Sequence, residues 1–194
     1  LSRLLADGPE GFVSARVPTT AYEVLARFVS LGFVPVGVGL TFEREPVEPT
    51  EAPSGGGALG LASANQRTKL FDIAACAFSY DRYHADPAIS QSAADRIKRD
   101  WIESYLEGRR GDELLVFSLD ESPVGFLAVL TRIEGGQRVG VIDLLGVHPE
   151  ARRRGVGRAL VHAFCGAAPG RWDCLRVGTQ ASNIPSIRLY EGMG

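Results

Sequence analysis

Residues 152–158, Arg-Arg-Arg-Gly-Val-Gly-Arg, set four cations and two glycines within one short turn. Such a composition suits an anion. Small residues let backbone N–H groups approach a ligand closely. Unpaired amides at a helix start, at the positive end of its dipole, attract negative charge. A phosphate or pyrophosphate is the expected guest. The turn is not a dinucleotide fingerprint, because no Gly-x-Gly-x-x-Gly with an acidic residue about twenty positions on is present. It is not a Walker loop either, since no Gly-Lys-Ser/Thr follows. Two further groups nearby bear on chemistry. Asp143 is the one charge in an apolar run, open to a functional pKa shift or to pairing with an Arg or Lys on a neighbouring strand. His148 sits just past that run, where a structural or solvated role is expected rather than that of a base.

The elements that must position this turn are legible from periodicity. Residues 141–147, Val-Ile-Asp-Leu-Leu-Gly-Val, read as a strand buried on both faces, and Pro149 ends it because it cannot donate to a ladder. From Gly155 the period changes. Val156, Ala159, Leu160, Ala163 and Phe164 form one apolar stripe of a helix. Upstream, residues 114–119 and 124–130 are two expected strands joined by an Asp-Glu-Ser-Pro turn, and Gly135-Gly136 marks a second turn before the central strand from Val139. Residues 70–75 read as a strand leading into the segment 76–87. Ser92 with Asp95 has capping-box-like spacing for a helix that carries Ala94, Ile97, Trp101 and Tyr105 on one face and ends at Gly108. Downstream, Gly166, Pro169 and Gly170 break the chain, and residues 175–179 form another strand. Asn183 then caps a helix that tolerates Pro185 in its first turn and runs through Leu189-Tyr190-Glu191.

Residues 20–42 read as a compact unit. Thr20 caps a helix carrying Tyr22, Leu25, Phe28 and Leu31, Gly32 stops it, and residues 33–42 alternate into a strand. Three prolines and a glycine triplet within residues 45–65 mark a linker. The expected division is a small N-terminal α/β subdomain at 1–48, a linker at 49–65 and a main domain at 66–194. About fifty residues make a poor independent core, so the first segment is expected to pack onto the rest. It carries no assignable chemistry.

Composition bounds the class. With 45% hydrophobic and 23% charged residues among 194, the chain has enough apolar content for a real core. A net charge of −2 without a basic tail argues against nucleic acid as a partner. No apolar run approaches the ~20 residues that cross a bilayer, so no membrane role is expected. No signal-peptide pattern opens the chain, and without an initiator Met its true start is expected upstream. Cys76, Cys165 and Cys174 are odd in number and lack Cys-x-x-Cys spacing, which suggests a reducing cytoplasm and no structural metal.

The pattern Arg152, Gly155 and Gly157, after a strand ending Leu-Gly-Val-His-Pro, resembles the acyl-CoA pyrophosphate loop of the GNAT superfamily of N-acyltransferases. Asn-x-x-Ser-x-x-Leu-Tyr-Glu-x-x-Gly at 183–194 is similar to the second signature of that family, in the right order and at the right distance. The resemblance covers residues 66–194, and residues 20–42 look like a worn copy of the closing portion of such a domain. It implies an α/β (α+β) fold with a mixed central sheet flanked by helices. The family continues with Phe and a final pair of strands, whereas this sequence stops at Gly194. An incomplete terminus is expected, with the strand at 33–42 as a candidate substitute for part of the sheet.

The resemblance also implies a chemistry. Acyl transfer needs a neutral amine at a thioester carbonyl, donors for the oxyanion and a proton for the departing thiolate. In such enzymes the two strands corresponding to 141–147 and 175–179 splay apart to admit the pantetheine arm of acetyl-CoA. Backbone groups around Leu145, Gly146 and Val147 would hold the arm, and Arg152, Arg153, Arg154, Gly155, Val156, Gly157 and Arg158 the pyrophosphate. Asn183 would fix the second helix against the arm, and Tyr190 would protonate the leaving sulfur. A packed aromatic at Tyr190 and a simple cap at Asn183 remain alternatives. No metal is implied, and no general base is assigned.

The acceptor follows from finer resemblance. Ribosomal-protein N-terminal acetyltransferases carry a Glu at the position of Gly178, and its absence weakens a protein-acetylating reading. Val-Gly-Thr-Gln-Ala-Ser-Asn at 177–183, Arg-Tyr-His-Ala-Asp-Pro at 82–87 and Trp101 instead resemble dTDP-fucosamine and related nucleotide-amino-sugar N-acetyltransferases. In that reading Gly178 leaves room for a pyranose, while Phe78, Tyr80, Arg82, Tyr83, His84 and Trp101 line the acceptor mouth. Ordinary packing of Phe78, Tyr80 and Trp101 is the alternative. The expected reaction is acetyl transfer to the amine of a nucleotide-linked amino sugar. A protein or antibiotic amine is the second reading, and a non-catalytic acyl-CoA-binding module the third. A homodimer is left open.

Overall fold

The apolar run that holds Asp143 lies within β5 (Gln137–Val147), a strand in the middle of a six-stranded sheet. The structure is a computed structural model and describes residues 13–47 and 56–194. The chain divides into two compact units, Leu1–Val36 and Gly37–Gly194.

In the first unit the helix α1 (Tyr22–Ser30) forms where the apolar spacing expects it, yet none of its residues is buried. Thr20 does not cap it. The cap position is Ala21, which makes no side-chain hydrogen bond, so the helix start has only backbone support. Gly32, with φ +88°, ends it. The amide of Phe33 returns to the carbonyl of Phe28 at 3.1 Å, and the two rings meet edge to face. The strand expected from residue 33 begins only at Gly39.

That strand, β1 (Gly39–Arg44), belongs to the second unit and pairs antiparallel with β6 (Cys174–Gln180). The remaining strands are β2 (Ala58–Leu61), β3 (Glu113–Leu119) and β4 (Ser122–Glu134). Their order is β1-β6-β5-β4-β3-β2, antiparallel throughout except for β5 beside β6. Thus β2 arises inside the stretch expected as linker, although residues 48–55 of that stretch lie outside the described residues. The turn between β3 and β4 is shorter than expected: Asp120 (φ 46°) and Glu121 (φ 62°) form it, and Ser122 pairs with Leu119. Two positive φ values match the right-handed twist of a two-residue hairpin. Pro123 sits in β4 opposite Ser118, where the register shifts and a missing N–H is tolerated.

The expected strand at 70–75 is instead the middle of helix α2 (Arg67–Ala77). Ser63 and Gln66 make a reciprocal capping box over a 3-10 turn at Ala64–Gln66, which feeds directly into the helix. Leu70, Ile73 and Ala74 then bury one helical stripe. A short apolar run reads alike in both conformations, and here the upstream cap decides. A four-residue helix α3 (Arg82–Ala85) precedes α4 (Gln91–Leu106). The cap of α4 is Ser90, whose hydroxyl accepts from the amide of Ala93, and not Ser92 with Asp95. Its buried stripe is accordingly Ala94, Lys98, Ile102 and Tyr105, which replaces Ile97 and Trp101 with Lys98 and Ile102.

Helices α2 and α4 cover one face of the sheet through Phe126, Ala128 and Leu144. On the other face α5 (Val156–Gly166) and α6 (Ile184–Glu191) pack over Leu127, Val129, Ile142 and Val177. The mixed sheet flanked by helices is therefore the architecture expected. Close packing constrains it at Gly140, where an added Cβ would stand 2.4 Å from the Trp172 ring. That ring cannot retreat easily, because its Nε1 donates to Thr131 at 2.8 Å and its face lies against Phe164. Gly140→Ala is expected to lose about 2 kcal/mol of stability through overpacking, read as a lower denaturation midpoint with an unchanged m-value.

Candidate active site

Strands β5 and β6 pair only from Val139↔Cys174 to Ile142↔Val177. Beyond that rung β5 runs on to Val147 and β6 to Gln180 without pairing, so a wedge opens between them. The cause lies in β5. Val129 pairs with Ile142 and Ala128 with Leu144, which leaves Asp143 as the extra residue of a β-bulge. The bulge bends the strand at the apex of the wedge. His148 donates its amide to Val124 on β4 at 2.8 Å. Backbone alternation then turns Gly146 to β4 as well, and Leu145 and Val147 to the open side. Gly146 is thus engaged in the sheet, and the Phe126 ring lies where its Cβ would be. The backbone groups of Leu145 and Val147 face the wedge.

The turn after β5 carries two positive φ values, at Arg153 (63°) and Gly155 (81°). The first helical rung of α5 runs from the amide of Ala159 to the carbonyl of Gly155, leaving the amides of Val156, Gly157 and Arg158 at the helix start. The four arginines divide in function. Arg152, though exposed, lies against the end of α2, its Nη2 donating to the carbonyls of Cys76 and Ala77 and its Nε to that of Val147. Arg158 donates to the carbonyl of Gly192. Arg153 and Arg154 are exposed and make no side-chain hydrogen bond or ion pair among the described residues. Gly157 serves the approach of α5 to α6, since its Cβ would meet Leu189 at 3.3 Å.

Tyr190 is buried, 9% exposed, with its ring 5.8 Å from that of Phe42. It lines a cavity of about 100 Å³ together with Ile142 and Val177, the last paired residues before the wedge. Burial raises the pKa of its phenol, which keeps the proton on the oxygen. Asn183 is held at both ends: its Oδ1 accepts from the Ser186 amide at 3.3 Å and its Nδ2 donates to Thr179 at 3.1 Å. Its side chain therefore caps α6 and ties that helix to β6. Gly178 is the first residue of β6 past the last rung, and a Cβ there would meet nothing closer than 3.9 Å. His148 points outward, 4.0 Å from the exposed Glu150.

The α2/α4 side of the wedge is polar within an apolar frame. Asp143 accepts from Trp101 Nε1 at 2.9 Å, Tyr105 Oη at 2.8 Å, and Arg110 Nε and Nη2 at 2.7 and 3.0 Å. Of the two expectations for Asp143, pairing with an arginine is the one observed, though Arg110 follows α4 rather than lying on a strand. Burial first, then the Asp143 charge, raises the Tyr105 pKa. Phe78, Tyr83 and Trp101 gather around the ammonium of Lys98, and His84 sits between Asp81 and Asp95. Arg82 donates to the Tyr83 hydroxyl at 2.7 Å, while Tyr80 is 43% exposed. Reading the sequence missed Lys98, Asp81, Asp95, Tyr105 and Arg110 as members of this cluster. The signal available was the α4 stripe at 94, 98, 102 and 105, in which a lysine interrupts apolar positions.

Residues 68–194 match the model of the acetyltransferase (GNAT) family. The spore coat polysaccharide biosynthesis protein SpsD of Bacillus subtilis (strain 168) is 27% identical over 70% of this chain and 46% of its own length. A mycothiol acetyltransferase of Acidothermus cellulolyticus is 30% identical over 51% of this chain and 32% of its own. The chain thus spans less than half the length of either. Among solved structures, a ribosomal-protein-alanine N-acetyltransferase from Brucella melitensis biovar Abortus 2308 superposes with a TM-score of 0.53 at 23% identity, covering 71% of this chain and 90% of that one. A functionally unknown conserved protein from Staphylococcus epidermidis ATCC 12228 gives a TM-score of 0.57 at 18% identity, over 92% of this chain and 64% of that one. At such identities the likeness establishes the fold.

Proposed function

Because the chain belongs to the acetyltransferase (GNAT) family, we propose that it transfers the acetyl group of acetyl-CoA to a primary amine, that of a nucleotide-linked amino sugar. The observation that carries acetyl transfer is the loss of β5–β6 pairing after Ile142↔Val177, with the arginine turn following β5 and Tyr190 on the helix that Asn183 ties to β6. Acetyl-CoA supplies an activated acyl thioester. Arg153, Arg154 and the amides at the start of α5 fit its pyrophosphate, and the amides of Leu145 and Val147 face the wedge where carbonyl charge would build. Tyr190 keeps its proton at neutral pH because burial raises its pKa, and would donate it to the leaving sulfur.

The amino-sugar acceptor rests on three supports. The α2/α4 side offers the aromatic side chains of Phe78, Tyr83 and Trp101. Gly178 leaves space where a larger side chain would intrude. The name of the Bacillus subtilis relative places that protein in polysaccharide synthesis. Three free cysteines support a reducing, cytoplasmic setting.

Thermal stabilisation tests the reading, since a ligand that binds only the folded state raises its stability. A rise with acetyl-CoA and a further rise with a dTDP-linked 4-amino-4,6-dideoxyhexose are expected, with thiol release on mixing. A rise with acetyl-CoA, but thiol release only with a peptide bearing a free N-terminus, would replace the sugar with a protein amine. No rise with acetyl-CoA would remove the acetyl-transfer reading. Within the loop, Arg153→Ala with Arg154→Ala is expected to raise the acetyl-CoA KM about tenfold, on the order of 1.4 kcal/mol for two exposed charge-assisted contacts. Arg152→Ala should leave that KM in place and lower the melting temperature instead.

A further inference from the structure

Lys98 is 3% exposed, within a stripe that is otherwise apolar or aromatic. Its Nζ stands 4.9 Å from the Phe78 ring centroid, 5.2 Å from that of Tyr83 and 4.9 Å from that of Trp101. Asp81 Oδ1 lies 3.6 Å away. The other oxygen of Asp81 meets His84 Nδ1 at 2.6 Å, and His84 Nε2 meets Asp95 on α4 at 3.0 Å. Five side chains, those of Phe78, Asp81, Tyr83, Asp95 and Trp101, therefore turn on one ammonium and one imidazole.

The segment they belong to has little else to hold it. No residue of α3 is buried, and Tyr80 is open to solvent. Phe78 touches the sheet through Phe126 at a centroid distance of 6.3 Å. Burying an ammonium is costly, and an apolar side chain of similar length would fill the same volume. A cation does what such a side chain cannot: it attracts the faces of three rings at once and a carboxylate from a fourth direction. One of those rings reaches the wedge, because Trp101 Nε1 donates to Asp143 at the bulge. The ammonium thus links the 78–86 segment to the apex of the opening.

We propose that Lys98 is a positioning residue for the acceptor, its caged ammonium holding Phe78, Tyr83 and Trp101 as the wall against which the amine-bearing substrate is oriented toward the wedge. The proposal rests on the acetyl-transfer reading above. Burial lowers the Lys98 pKa, against the opposing pull of Asp81, so the charge is held at a cost that packing alone does not require.

The test compares wild type with Lys98→Met and Lys98→Arg, using acetyl-CoA with the dTDP-linked amino sugar or the free-N-terminus peptide, whichever the wild type acetylates faster. Lys98→Met is expected to raise the acceptor KM at least tenfold, while the acetyl-CoA KM and the stabilisation by acetyl-CoA stay within twofold. Lys98→Arg should recover at least a third of the lost kcat/KM for the acceptor. Equal acceptor KM values in wild type and Lys98→Met would overturn the proposal. So would parallel losses in both KM values with a lowered melting temperature, which is the signature of a merely structural lysine. If Lys98→Met does not fold, Tyr83→Leu removes one wall of the cage. A threefold rise in acceptor KM alone supports the proposal, and no rise refutes it. A wild type that uses the peptide and not the sugar ends the sugar assignment only, and the peptide KM then decides the role of Lys98. A wild type that acetylates neither overturns both.

Discussion

Tyr190→Phe is expected to lower kcat by about 100-fold or more, the usual loss when a positioned general acid is removed, with the acetyl-CoA KM changed less than twofold. The change deletes one oxygen from a ring that is already buried, so packing against Phe42 and the cavity wall is retained. Burial has raised the phenol pKa, and the proton therefore stays on Tyr190 throughout neutral and mildly alkaline solution. The wild-type kcat should accordingly show no alkaline fall attributable to this group below its ordinary value of about 10. The same shift has a stability consequence of fixed sign. A raised folded pKa means its contribution is complete below the unfolded value and is lost as pH rises through the folded one, so alkaline unfolding is expected beyond about pH 10. Steady-state kinetics of the variant with saturating acceptor decides the role. An unchanged kcat would return Tyr190 to the status of a packed aromatic.

Asp143→Ala should destabilise the main unit by about 2 kcal/mol, the scale of leaving buried donors without their acceptor, because Asp143 is buried while Arg110 is half-exposed and can be rehydrated. Four donor atoms on Trp101, Tyr105 and Arg110 converge on that carboxylate. Without it the Tyr105 hydroxyl and the Trp101 indole N–H lose their acceptor on the covered face of the sheet. Arg110, which stacks on Trp101 at 4.5 Å, loses its only carboxylate partner among the described residues. Urea denaturation should show a lower midpoint at constant slope, since the compactness of the denatured chain is unaffected. Activity should fall too, because the bulge that opens the wedge is the point where α4 is tied to β5. A midpoint within experimental error of wild type would mean that solvent replaces the carboxylate at no cost, and that Asp143 does not anchor α4.

The parts whose physics is local are legible in the amino-acid order. The arginine-glycine turn, the Asn183 cap of α6 and the Gly135-Gly136 turn are each specified by neighbours a few residues apart and observed, while the buried stripe of α5 keeps Val156, Leu160 and Phe164 and takes in Val161 instead of Ala159 and Ala163. Local reading failed where a short apolar run fits two periods. Residues 70–75 became helix because Ser63 and Gln66 cap the chain upstream. It also failed where a charge is buried. No local pattern marks Lys98 until Phe78, Tyr83 and Trp101 are brought around it, and the partner of Asp143 is not named until Arg110 arrives from 33 residues away. The partners of the loop arginines depend on segments far away in the chain. Arg152 is committed to the end of α2, 75 residues back along the chain, and Arg158 to Gly192. The wedge itself is likewise invisible in either strand alone, because it is a property of where β5 and β6 stop pairing. Contacts between segments distant in sequence set burial, partner and register together, and no local pattern carries that information.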